Sequence, residues 1–146
     1  LCFFSIFGCA GYEPLFSTKD LSFYVEDIKN INNDFITKKI SKNINNIKLK
    51  GENKIVYLLE IESDIINNIS SKDSKGNALT YDIILAVKVK VFKRNTELPI
   101  NILKFDKSVN YDNQANKFNL DEYKKTIIEN ITNKISQEIL ISLQSL

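Results

Sequence analysis

Tyr81-Asp82-Ile83-Ile84-Leu85-Ala86-Val87-Lys88-Val89-Lys90-Val91-Phe92 is the stretch that decides the fold. Tyr81, Ile83, Leu85, Val87, Val89 and Val91 fall on one side. Asp82, Ile84, Ala86, Lys88, Lys90 and Phe92 fall on the other. Successive side chains of a strand point to opposite faces, so this alternation predicts a long strand with one face in a core. Twelve residues would span about 40 Å. A strand of that length needs neighbours of similar reach and a layer to cover its apolar side.

The neighbours are legible on either side. Ile55, Tyr57, Leu59 and Ile61 alternate with Glu60 and Glu62 in the segment before it. Asn67 to Asn77 reads as a polar connecting loop holding Lys72 and Lys75. Asn95 and Thr96 read as a hairpin turn, and Ile100 to Tyr111 gives the next strand, with Leu103, Phe105, Val109 and Tyr111 on one face. Pro99 stands at its start, where a missing donor is tolerated. Upstream, Leu21, Phe23 and Val25 alternate within Leu21–Glu26, and Asn30 to Asn33 breaks the run.

Two segments change period. From Asp34, Ile36, Ile40, Ile44 and Ile47 recur at helical spacing, and the helix is expected to end near Gly51. After Asp112 to Asn119, Leu120, Tyr123, Ile127, Ile131, Ile135, Ile139 and Leu143 form one stripe. Asn119 with Glu122 reads as a capping box. About 25 residues would make a helix near 38 Å long. The order β-α-β-β-β-α predicts an α+β two-layer sandwich. Two helices pack on one face of a four-stranded, mainly antiparallel sheet, within a single domain over 21–146. The other face, mixing Lys88, Lys90, Glu60 and Glu62 with Val56, Leu58, Ile84, Ala86 and Phe92, reads as a partner surface.

Composition narrows the chemistry. The 146 residues include no histidine, methionine or tryptophan, two cysteines, and a net charge of only +2. Without histidine there is no Ser-His-Asp triad, Cys-His pair or histidine-bound metal, and two thiols do not make a four-cysteine zinc site. Neither a metal nor another cofactor is expected. Glu60 and Glu62, about 7 Å apart on one strand face, are the only carboxylate pair that invites a catalytic reading. The same spacing is the ordinary polar side of a strand, and no catalytic residue is assigned. The weak charge gives no argument for nucleic acid.

The N-terminal residues bear on location. Leu1-Cys2-Phe3-Phe4-Ser5-Ile6-Phe7-Gly8 is uncharged and nearly all apolar, too short to span a bilayer. It reads as the end of a secretory signal, with Leu1 inside a longer precursor. Ile6-Phe7-Gly8-Cys9 resembles a bacterial lipobox, with a small residue before the cysteine. On that reading 1–8 is a signal remnant, Cys9 carries the lipid, and 9–20 is a linker to the domain. Ala10 after the cysteine leans towards the outer membrane. A Cys2–Cys9 disulfide and a buried strand with two structural thiols are the competing readings.

Gly8-Cys9-Ala10-Gly11-Tyr12-Glu13-Pro14-Leu15-Phe16 resembles the opening of the lipopolysaccharide-assembly lipoprotein family LptE, particularly its alphaproteobacterial form, with Ala10 standing between Cys and Gly. The element order, the Lys72-Asp73-Ser74-Lys75-Gly76-Asn77 loop, Asn110-Tyr111-Asp112 and the long closing helix extend the resemblance over the mature chain. An arginine common in relatives near Thr80-Tyr81 is absent. The resemblance implies a non-enzymatic outer-membrane lipoprotein that plugs the LptD β-barrel, assists its assembly and binds lipopolysaccharide. Lipid A phosphates would be met by cations: Lys72 and Lys75 first, then Lys88, Lys90, Lys93 and Arg94. A pilotin-like assembly factor or a periplasmic lipid carrier is the alternative. A carrier should enclose an apolar pocket, whereas a plug should be solid.

Overall fold

The computed structural model describes residues 21–47 and 54–146. The elements are β1 (Phe23–Asn30), α1 (Phe35–Asn45), β2 (Ile55–Lys72), β3 (Ala78–Lys93), β4 (Asn101–Asp112) and α2 (Lys117–Gln144). They build one four-stranded sheet in the order β1-β2-β3-β4. β1 runs parallel to β2, and the other two pairings are antiparallel. Parallel neighbours need a crossover, which α1 supplies. The sequence order and fold class are therefore those expected.

The alternating residues of β3 behave as their pattern requires. Ile83, Leu85, Val87, Val89 and Val91 are buried, beside Tyr57, Leu59 and Ile61 of β2. The covering layer is made of isoleucines: Ile36, Ile40 and Ile44 from α1, and Ile127, Ile131, Ile135 and Ile139 from α2. Each fully buried aliphatic side chain contributes about 1.5–3 kcal/mol. Leu21 also joins this core, although it precedes β1. A bulge between Val25 and Asp27 shifts the β1 register, so that Ile28 returns to the core side beside Leu59.

Small polar groups lock the layers together. Asp34 caps α1, accepting from the Thr37 amide at 2.8 Å and from Ser63 Oγ of β2 at 2.6 Å. Asn43 Nδ2 donates to Asn133 Oδ1 (2.9 Å) and Ser136 Oγ (3.1 Å), joining α1 to α2. Lys107 Nζ meets Glu138 Oε1 at 2.8 Å, joining β4 to α2.

Three boundaries differ from expectation. β2 does not end near Glu62: it runs to Lys72, so most of the expected Asn67–Asn77 loop is strand and only a short turn remains. α1 ends at Asn45, well before Gly51, which lies outside the described residues along with the 1–20 segment. α2 begins at Lys117 with Asn116 as its N-cap, its side chain accepting from the Phe118 amide at 2.9 Å, so the Asn119–Glu122 capping box does not form the start. Asn116 offers the same capping chemistry one turn earlier, and the helix takes it.

Candidate functional site

The structure distributes the six candidate cations along the length of the β2–β3 hairpin. Lys72 is the last residue of β2, and Lys75 sits in the turn joining β2 to β3. Lys88 and Lys90 lie mid-strand on the uncovered face of the sheet. Lys93 ends β3, and Arg94 enters the turn that follows. From Ala78 to Lys93 the strand spans roughly 50 Å, so Lys72 and Lys75 do not share a site with Lys93 and Arg94.

The tip turn is built by one carboxylate. Asp73 accepts from the backbone amides of Lys75 and Asn77, both at 2.8 Å, and from Asn77 Nδ2 at 2.9 Å. Gly76 adopts φ +85°, a conformation that glycine tolerates without cost. The Asn77 side chain, with these amides, holds the Asp73 carboxyl below its ordinary value. Asp73 is thus spent on backbone donors, and neither Lys72 nor Lys75 forms an ion pair among the described residues. Ile69 and Leu79 stand exposed beside them, with Ile65 and Ile66 further down β2. Cations and aliphatic surface therefore lie together at the tip.

The uncovered sheet face is different, because its cations are engaged. Lys88 Nζ donates to Glu62 Oε2 at 2.9 Å, across the β2–β3 pairing. Glu60 is shared between Lys29 (3.2 Å) and Lys90 (3.4 Å). The Lys29 hydrogen bond, assisted by Lys90 and opposed by burial, lowers the Glu60 pKa. Both glutamates are thus paired with lysines across the sheet, as the polar side of a strand. Arg94 forks onto Glu26 of β1, with Nε 3.2 Å from Oε2 and NH2 on Oε1, and its hydrogen bond lowers the Glu26 pKa. Lys93 stays exposed at that end.

Sequence reasoning missed Lys29, Glu26 and Lys104. The first two come from β1, whose bulged register was not legible. Lys104 faces Lys88 directly on β4. These lysines, with Glu62, Asp64 and Asp106, line a shallow open hollow of about 210 Å³ over Ala86. Acids outnumber bases there, so the hollow is a poor phosphate site. Among the described residues no helix is long and apolar enough to cross a membrane.

The architecture defines a class: an α+β sandwich whose sheet carries helices on one face only and a long hairpin reaching beyond them. Solved bacterial lipoproteins share it, and it is the fold of rare lipoprotein B structures, the LptE family. Rare lipoprotein B from Shewanella oneidensis superposes with a TM-score of 0.66 at 13% identity, covering 84% of this chain and 94% of that one. Lipoprotein B from Nitrosomonas europaea gives 0.63 at 14% identity, over 92% and 91% of the two chains. A minor lipoprotein from Acinetobacter baumannii gives 0.59 at 13% identity, over 86% and 93%. No protein-family model matches the chain, and no curated protein matches it in sequence.

Proposed function

We propose that the chain is an outer-membrane lipoprotein of lipopolysaccharide assembly, anchored through Cys9, seated with the LptD β-barrel and contacting lipopolysaccharide. The observation that carries this reading is the fold shared with lipoprotein B structures over most of both chains. The lipobox-like Ile6-Phe7-Gly8-Cys9 supports the anchor, with 1–8 removed and 9–20 linking the lipid to the domain. Among the described residues the interior fits a plug better than a carrier: isoleucines from both helices and from β2 and β3 fill it, and the hollow over Ala86 is open and charged rather than apolar.

Lipopolysaccharide is an amphiphile with phosphates beside acyl chains. The hairpin tip offers the matching chemistry, Lys72 and Lys75 next to Ile69 and Leu79. Lys88, Lys90 and Arg94 would first have to leave Glu62, Glu60 and Glu26. Lys93 is the remaining candidate, at the far end. The decisive experiment is affinity purification of the tagged chain from its own membranes. An outer-membrane barrel is expected to accompany it in stoichiometric amount, and its absence would overturn the reading.

A further inference from the structure

β2 outruns β1. The last β1 partner pair is Asn30–Ile61, followed by the Ile31 amide on Ile61 O at 2.9 Å. One step further, the Asn32 side chain stands in for a strand: its Oδ1 accepts from the Ser63 amide at 3.2 Å, and its Nδ2 donates to Ser63 O. There the cover ends. In an antiparallel ladder a residue points both backbone groups the same way, and alternate residues share that direction. Ser63 points away from β3, so Ile65, Asn67 and Ile69 do too. Their amides and carbonyls form an open edge with no backbone partner among the described residues, and all three residues are exposed.

Exposed edges are normally guarded by charge, proline or brevity. The outer edge strands here follow that rule: β1 carries Glu26, Asp27 and Lys29, and β4 carries Lys104, Asp106 and Lys107. The β2 edge is short but otherwise unguarded. Ile65-Ile66-Asn67-Asn68-Ile69-Ser70-Ser71 has neither a charge nor a proline. The stretch is also self-complementary. Paired antiparallel with itself about Asn67, it sets Ile65 of one copy against Ile69 of the other and Asn67 against Asn67. Neutral faces meet, and no like charges oppose each other. The pairing begins beyond Ser63, so Asn32 is not displaced. It stops at the bulge between Ile69 and Ser71, where the strand bends aside.

We propose that the open β2 edge at Ile65–Ile69 pairs with the same edge of a second copy of this chain, antiparallel about a two-fold axis at Asn67. Among the described residues each chain offers three residues with both backbone groups unpaired, which yields a symmetric interface of modest size. The proposal is independent of any lipopolysaccharide role. A barrel partner that covers the hairpin would compete with it.

Cysteine pairing tests the register. In this alignment residue 66 of one copy faces residue 68 of the other as a non-hydrogen-bonded pair, about 4.5 Å apart at Cα. Residues 66 and 66 lie on the diagonal, about 7–8 Å apart, beyond disulfide reach. Full-length chains with Cys2→Ser and Cys9→Ser receive either Ile66→Cys or Asn68→Cys and are oxidised singly and mixed. The mixed disulfide is expected to exceed either homodimer by at least about tenfold, since only that pair meets disulfide geometry. Adding Ile69→Lys to both chains, at an exposed position that leaves the core intact, should abolish the excess. Equal yields in all three samples, at the level of an Ile102→Cys control, would overturn the pairing and leave the edge to an extended segment of another polypeptide. A mixed excess that survives Ile69→Lys would overturn it as well.

Discussion

The two halves of the β2–β3 hairpin are made from the same residue types and behave in opposite ways. In the half beneath the helices, Ile61 and Ile83 are 0% exposed. In the half beyond them, on the same face, Ile69 is 49% exposed and Leu79 50%. The strand pairing continues through both halves, so hydrogen bonding does not make the difference. The helix layer does. It ends near the cluster where Tyr111 stacks on Tyr81 at 5.4 Å and meets the edge of Tyr123 at 6.0 Å. One half of the hairpin holds the fold together, and the other is left uncovered among the described residues.

Substitutions should divide along the same line. Ile61→Ala or Ile135→Ala, each at a fully buried site, is expected to cost about 3 kcal/mol and shift the urea midpoint sharply. Ile69→Ala should cost about 0.5 kcal/mol or less, because it opens no cavity. Equal losses at the two sites would mean that the distal half is also covered.

The next effect lies at the border between the halves. Asp34→Ala removes the α1 cap and the bond from Ser63, with an expected loss of about 1–2 kcal/mol. Burial raises the Asp34 pKa, but hydrogen bonds from Ser63 and Thr37 outweigh it and leave the carboxyl below its ordinary value. A depressed carboxylate stabilises the fold above its ordinary unfolded value. That share is lost as the pH falls through the unfolded pKa to the folded one. Stability measured across the acid range should show this loss in the wild type and a smaller one in Asp34→Ala.

The smallest effect is expected on the uncovered face. Lys88→Ala breaks an exposed ion pair with Glu62 and should cost about 0–1 kcal/mol, less at high salt. Lys72→Ala with Lys75→Ala should leave the urea midpoint unchanged while weakening binding to lipopolysaccharide micelles. Unchanged micelle binding would remove the tip from the proposed contact.

The same division explains what the sequence could tell. Burial on one face imposes alternation, so β3 and the first half of β2 were legible from Ile55 to Ile61. Ile65-Ile66-Asn67-Asn68-Ile69 lies past the end of β1, where both faces of β2 are exposed although its β3 partners Leu85 and Ile83 stay buried. Nothing there selects a period of 2, and the extension reads as loop. Helix stripes were plain because each helix buries one side. The caps were less so, since Asn116 and Asn119 offer the same group. At the site, cations were visible as residue types, but their partners depended on register. Glu60 and Glu62 opposite the lysines followed from the meander, whereas Lys29 and Glu26 required the β1 bulge.

Hydrogen exchange read residue by residue tests the division most directly, on the dilute chain and on the chain bound to the outer-membrane barrel proposed as its partner. The free chain should protect the amides of Leu59, Ile61, Ile83 and Val89 strongly and those of Ile65, Asn67 and Ile69 weakly. Binding should slow exchange in the second group and leave the first unchanged. Unaltered exchange at Ile65, Asn67 and Ile69 in the complex would contradict the assignment of the uncovered hairpin as the binding half.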